Sequence, residues 1–149
     1  ILESSFSEVH KEFEKDAHKF VKPISSCVNF INKLDNKKVK IVLITSDSTI
    51  NANIAMNKLS LLDRFELVLG NDKKLGEKKD GFPALFACSM ININPLNTIV
   101  IGDTIMDYQM ALNANIKSSI LISSGQIKLD ELRNITPYSL SSLDELLIQ

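Results

Sequence analysis

Two continuous apolar runs constrain this chain more than anything else in it: Val39 to Thr45, and Thr98 to Gly102. Past their opening residues neither alternates apolar with polar positions. A strand with one solvated face alternates. An unbroken run suits a strand covered on both faces, as in a parallel sheet between two helical layers. Both runs end in groups that can do chemistry: the first in Thr45-Ser46-Asp47-Ser48, the second in Gly102-Asp103, followed by Asp107. Ligands of open α/β sheets bind beyond the carboxyl ends of the strands, and glycine lets the backbone turn sharply there. Carboxylate oxygens at such a corner suit a hard cation such as magnesium. A strand ending in a solvated acidic turn has the same signature, so the rest of the chain must decide.

The rest alternates helix with strand. Phe6, Val9, Phe13, Ala17 and Phe20 recur at helical spacing, which predicts an amphipathic helix over 5–21 opened by a Ser5–Glu8 capping box. A second helix follows Pro23, with Ile24, Val28 and Ile31 on one face and Asp35-Asn36 at its end. After the first run a helix is expected from Thr49 to about Leu62, with Ile54, Ala55, Leu59 and Leu62 inward, then a short strand over 66–69 that stops at Gly70. The polar, lysine-rich stretch 71–79 reads as loop. Pro83 opens a helix whose Phe82, Leu85, Phe86, Met90 and Ile93 are expected to face inward. Beyond Asp107 a helix with Met110 and Ala111 inward should end near Asn113 to Asn115. A strand over 119–122, a turn of helix at 128–133, an extended piece after Pro137 and a last helix capped by Ser142 and Glu145 complete the order. The fold class is therefore α/β: a three-layer sandwich around a mostly parallel sheet, in one domain over 1–149.

Composition narrows the function classes. Hydrophobic content of 44%, charged content of 23% and a net charge of −1 describe a globular protein without a field to attract nucleic acid or an anionic membrane. No apolar segment approaches the roughly 20 residues that cross a bilayer. Cys27 and Cys88 lack a metal-type spacing and read as reduced, packed thiols of a cytoplasmic protein. His10 and His18 sit on the charged first helix and read as surface residues. The chain opens on Ile1 rather than Met, without a signal-peptide pattern, and is expected to be a piece of a longer protein.

Taken together, KIVLITS ending at Thr45, KKDGFPALF carrying Lys78 and Lys79, and IGDTIMD carrying Asp103 and Asp107 resemble, in order, the second, third and fourth motifs of the haloacid dehalogenase (HAD) superfamily of phosphohydrolases. The intervening LLDRFELVLGND and ALNANIKSSILISSG agree with its phosphoglycolate phosphatase-like members, and the resemblance covers about residues 20–149. It implies a Rossmann-like core and magnesium-dependent hydrolysis of a small phosphorylated metabolite through an aspartyl-phosphate. Thr45, with Ser46, would hydrogen-bond the phosphoryl oxygens. Lys78, or Lys79 beside it, would neutralise charge, and Asp103 and Asp107 would serve the magnesium ion. These roles make chemical sense, since phosphoryl transfer is catalysed mainly by positioning and by neutralising charge. Asp107 equally suits a first-turn helix residue favoured by the macrodipole. Asp47 and Ser48 read as turn and cap residues.

One departure matters. The family's first motif, DxDx(T/V), with its nucleophilic aspartate, does not occur in this sequence. LITSDSTI mimics it, but that register would put Gly70 where the second motif needs a hydroxyl. In the family the strand of the first motif lies between those ending at Thr45 and Gly102. Its absence predicts two unpartnered edges of the kind that recruit another strand. Either the two strands pair directly, or an N-terminal segment or a further copy of the chain fills the gap. Residues 1–21 then resemble the end of a helical cap, and the chain alone is expected to show no turnover. The alternative is a degenerate HAD-like module that binds or assembles without catalysis. A dehalogenase fits the GDxxxD pair less well, and a nucleotide-binding domain would need a glycine-rich phosphate loop that is not found here.

Overall fold

The structure is a computed structural model and describes residues 21–34, 38–124 and 127–146. The helix expected over 5–21, with both histidines and its capping box, lies outside these residues except for Val21. Asp35, Asn36 and the end of the last expected helix also lie outside them.

Helices and strands alternate in the expected order. Helix α1 (Ser25–Leu34) leads to β1 (Val42–Ile44), α2 (Thr49–Lys58) to β2 (Leu67–Leu69), and α3 (Phe82–Met90) to β3 (Ile99–Gly102). Then α4 (Ile105–Asn113), β4 (Ser118–Ile122), α5 (Leu129–Ile135) and β5 (Ser139–Leu140) follow. The stretch 71–79 is loop apart from two 3-10 turns, Asn71–Lys73 and Lys78–Asp80. Strand β1 is shorter than its apolar run, and α2 stops before Leu62, which belongs to a separate 3-10 turn. At the chain end, Ser142 and Glu145 do form a capping box, but on a 3-10 turn, Leu143–Glu145.

Among the described residues every strand pairing is parallel, which suits the unbroken apolar runs. These strands form two sheets, β1–β2 and β3–β4–β5. Ile44 sits opposite Leu69 in the first, and Gly102 opposite Leu121 in the second. Among the described residues β1 bonds only to β2 and β3 only to β4 in the sheets, so direct pairing of β1 with β3 does not occur. The open edge of β3 departs from the two-sided burial expected of its run. Val100 is half-buried, whereas Ile99 and Ile101 are 55% and 37% exposed. Strand β4, paired on both sides, buries Leu121 and Ile122.

The sheets share one packed cluster. Ala84 of α3, Met110 of α4 and Ala114 are buried together, and Ile44 of β1 and Val100 of β3 both rest on them. Helix α3 corrects the sequence expectation. Its buried side is Pro83, Ala84, Ala87 and Cys88, while Phe82, Leu85 and Met90 are exposed. The helix is apolar almost all round, so periodicity cannot choose a face. Close approach to Met110 and Ala114 selects the small side chains. In α2 the inward residue is Ala52, and Ile54, expected inside, is exposed. Met110 and Ala111 of α4 are buried as expected, and Asn115 takes the left-handed conformation just past the helix end, at φ 51°.

Candidate functional site

The acidic corner after β3 is built around Asp107. Thr104 caps α4, and Asp107 three residues later closes a capping box. Oδ2 of Asp107 accepts hydrogen bonds from the Thr104 hydroxyl at 2.7 Å, the Thr104 amide at 3.1 Å and the Asp103 amide at 3.2 Å. Oδ1 lies 2.6 Å from Lys78 Nζ. The carboxylate is buried, and this set of donors is what makes its burial affordable in free energy. Burial pushes the Asp107 carboxyl up, but the hydrogen bond and charge of Lys78, helped by the Thr104 hydroxyl and amide, outweigh it and hold the group below the ordinary carboxylate range.

Gly102 serves this corner by its lack of a side chain. A Cβ there would overlap the Asp107 side chain. Its backbone is not in the left-handed region, so close approach, and not a sharp turn, requires glycine here. Asp103 is half-buried, and among the described residues its carboxylate accepts no hydrogen bond, in contrast to Asp107. Of the two lysines, Lys78 reaches Asp107, whereas Lys79 turns to Glu77 Oε2 at 2.7 Å on the exposed side.

The hydroxyl corner follows β1. The Thr45 hydroxyl oxygen accepts from the Asp47 amide at 3.1 Å, which leaves its own hydrogen to donate elsewhere. Ser46 is exposed beside it. Ser48 caps α2 by accepting from the Asn51 amide. Asp47 Oδ1 accepts from the Ser48 amide at 2.6 Å and the Asn51 side chain at 3.1 Å. Those two residues have the turn and cap roles expected of them. Lys78, Asp107 and the Asp103 backbone are therefore brought together, while Thr45 and Ser46 make no hydrogen bond to them among the described residues.

The donor chemistry can be set against a magnesium ion. No group of three or more acidic, histidine or cysteine side chains is placed to hold a metal among the described residues. A hard cation that keeps most of its water needs only one or two carboxylates, and Asp103 offers one with free oxygens. Both oxygens of Asp107 are already engaged.

Sequence reading overlooked Thr104, although its three-residue spacing to Asp107 is a capping-box signature. It also passed over Asp72, which accepts from the Thr49 amide at 2.6 Å and hydroxyl at 2.8 Å. Nothing local in the sequence announces that pairing across two loops.

Comparison with known proteins follows the same lines. Residues 2–121 match the family model for haloacid dehalogenase-like hydrolases. A phosphoglycolate phosphatase from Psychrobacter arcticus is 36% identical over 75 residues, half of this chain and 32% of the relative. One from Neisseria gonorrhoeae is 26% identical over 104 residues, 70% of this chain and 44% of the relative. The chain thus spans less than half the length of these curated relatives. Among solved structures, a HAD hydrolase of family IA, variant 3, from Entamoeba histolytica superposes with a TM-score of 0.82 at 21% identity, over 98% of this chain and 67% of that one, which shows a common fold.

Proposed function

This chain belongs to the haloacid dehalogenase-like hydrolase family, and on that premise we propose that it carries the phosphate- and cation-binding part of a magnesium-dependent phosphate monoester hydrolase. The observation that carries the reading is the convergence of Lys78 on Asp107 beside the free carboxylate of Asp103. The Thr45 hydroxyl, its oxygen already an acceptor, donates its hydrogen to a phosphoryl oxygen, assisted by Ser46. The Lys78 ammonium balances the phosphate charge. Asp107 aims that ammonium and holds the turn that presents Asp103. Asp103 is the carboxylate that would hold magnesium, and Asp107 supports it through the Asp103 amide and through water. The ion, when bound, supplies positive charge to the phosphoryl oxygens. The substrate class is a small phosphorylated metabolite, in keeping with the names of the curated relatives.

The nucleophilic carboxylate of an aspartyl-phosphate route is not among the residues assigned above. Our reading is that it comes from a strand between β1 and β3, each of which pairs on one side only among the described residues. The 149-residue chain alone is then expected to bind inorganic phosphate weakly and to leave p-nitrophenyl phosphate unhydrolysed with magnesium present. Hydrolysis by this chain, abolished by Lys78→Met, would overturn the assignment of the nucleophile to another segment. Fusing a DxDx(T/V) strand ahead of residue 1 separates enzyme from non-catalytic module. Regained turnover assigns the enzyme; phosphate binding without turnover assigns the module. No helix among the described residues is long and apolar enough to cross a membrane. The two cysteines are free, which supports placing the protein in the cytoplasm.

A further inference from the structure

The loop that carries Thr45 and Ser46 is fastened to the loop after β2 at point after point. The Thr45 amide donates to the Leu69 carbonyl at 2.9 Å, and the Asn71 amide donates to the Asp47 carbonyl at 2.9 Å. The Thr49 hydroxyl accepts from the Gly70 amide at 3.0 Å and donates to Asp72 Oδ1 at 2.8 Å. Asp72 Oδ1 also accepts the Thr49 amide at 2.6 Å. Gly70 is buried, and a Cβ on it would overlap the Thr49 amide nitrogen, so the two loops touch backbone to backbone.

More donors and acceptors are used here than a helix start needs. Ser48 already caps α2, and a first-turn amide normally finds water or its own N-cap. The Thr49 hydroxyl instead links an amide and a carboxylate of a loop more than twenty positions on. Thr45 is fixed at its amide, Asp47 at its carbonyl and Thr49 at both amide and hydroxyl. Ser46, which is exposed, lies between these fixed neighbours. A hydroxyl held in place before the ligand arrives needs no ordering when it binds, which is the condition under which donors to a phosphoryl group are most effective.

We propose that Asp72 and Thr49 are positioning residues for the phosphate-binding hydroxyls of Thr45 and Ser46, acting through the loop and not by touching the ligand; this rests on the reading of Thr45 and Ser46 as phosphate donors. The carboxylate of Asp72 lies at the N-terminus of α2, where the helix dipole favours it. It is exposed, so its effect on overall stability is small and its effect on loop position is the part that matters.

The test uses the whole 149-residue chain with magnesium, titrated with inorganic phosphate and followed by amide resonances. Thr49→Val and Asp72→Asn conserve volume and are expected to raise the phosphate dissociation constant about tenfold, the size of one lost charge-assisted hydrogen bond. They should also speed hydrogen exchange at Thr45, Ser46 and Asp47 while leaving β4 unchanged. Thr49→Ser, which keeps the hydroxyl, should restore wild-type binding. Thr45→Val should remove binding altogether. If Thr45→Val removes binding while Thr49→Val and Asp72→Asn bind as wild type, the positioning role is overturned and the phosphate site stands. If Thr49→Ser fails to restore binding, the hydroxyl link is not the cause and the proposal falls. If Thr45→Val binds phosphate as wild type, the phosphate reading itself fails and the positioning role fails with it.

Discussion

At the residue scale, Asp107 shows how a buried charge is made tolerable, with one oxygen given to Lys78 and the other to three donors of the Asp103–Thr104 turn. Removing the cation leaves the charge buried and short of a partner, which costs about 3–5 kcal/mol in fully buried pairs. Lys78 is partly exposed, with 21% of its side chain in contact with solvent. Lys78→Met is therefore expected to lower unfolding free energy by less than that, about 2–3 kcal/mol, read from urea midpoints. A loss below about 0.5 kcal/mol would show that the pair is solvated. The pH dependence follows from the direction of the Asp107 shift. Its folded value lies below the ordinary 3.8, so its contribution is whole above that pH and is lost as pH falls from there through the folded value. Asp72, Glu77 and Glu145 are held low as well, but they are exposed and solvent screens their share. Asp107→Asn should flatten the acid limb of stability against pH, and an acid limb as steep as that of wild type would contradict this. Gly102→Ala forces the Asp107 side chain aside, and a loss of about 2–3 kcal/mol is expected by the same measurement. That Thr45 and Asp103 follow strands and that Asp107 stands in the first turn of the next helix was legible in the sequence, whereas Lys78 was singled out only through the family resemblance. Asp72 was not legible, because its partner Thr49 becomes a neighbour only when β1 and β2 pair.

At the scale of elements, sequence patterns indicated where helices and strands lie better than which way they face. The strands announced themselves as apolar runs, and Met110 and Ala111 marked the inner face of α4. Helix α3 defeated the same reasoning because it offers apolar residues on every side, and size, not polarity, chose the buried face. The consequence is measurable. Ala84→Leu inserts methylenes into the cluster with Met110 and Ala114 and should cost about 1–3 kcal/mol. Leu85→Ala, one residue along on the exposed side, should stay within about 0.5 kcal/mol of wild type. Equal losses in urea unfolding would mean that α3 is covered on both sides. For β3, two-sided burial was expected from sequence, yet Ile99 and Ile101 are exposed on a strand whose second edge has no described neighbour. Local sequence states what a strand can tolerate, whereas exposure depends on what lies beside it.

For the molecule as a whole, the order of elements and the parallel sheet were legible from the alternation of runs and helical spacing. The division into two sheets depends on pairing between distant segments, and the sequence could only pose it as a choice between direct pairing and a filled gap. Because no ladder bond joins the sheets among the described residues, their amides have no common hydrogen-bonded network. Amide exchange is expected to sort them into two groups, with Leu121 and Ile122 of the doubly paired β4 more protected than Leu43 and Ile44 of β1. A single shared opening rate for both would show that the packed cluster alone makes them one cooperative unit.

The passage between the two groups is short. Residues 74–77 carry the chain across, with Lys74 and Gly76 both at positive φ and both exposed. Before them Asp72 is tied to Thr49, and after them Lys78 is tied to Asp107. Trypsin acting after Lys73 or Lys74 would cut between those ties and break neither. The nicked protein should then travel as one species under native conditions and as two bands once denatured. One band would carry Thr45 and Ser46, the other Lys78, Asp103 and Asp107, held together where Ile44 rests on Ala84 and Met110. A natural seam of this kind makes the chain a starting point for a split reporter, in which two separately made halves regain their shape only when brought together.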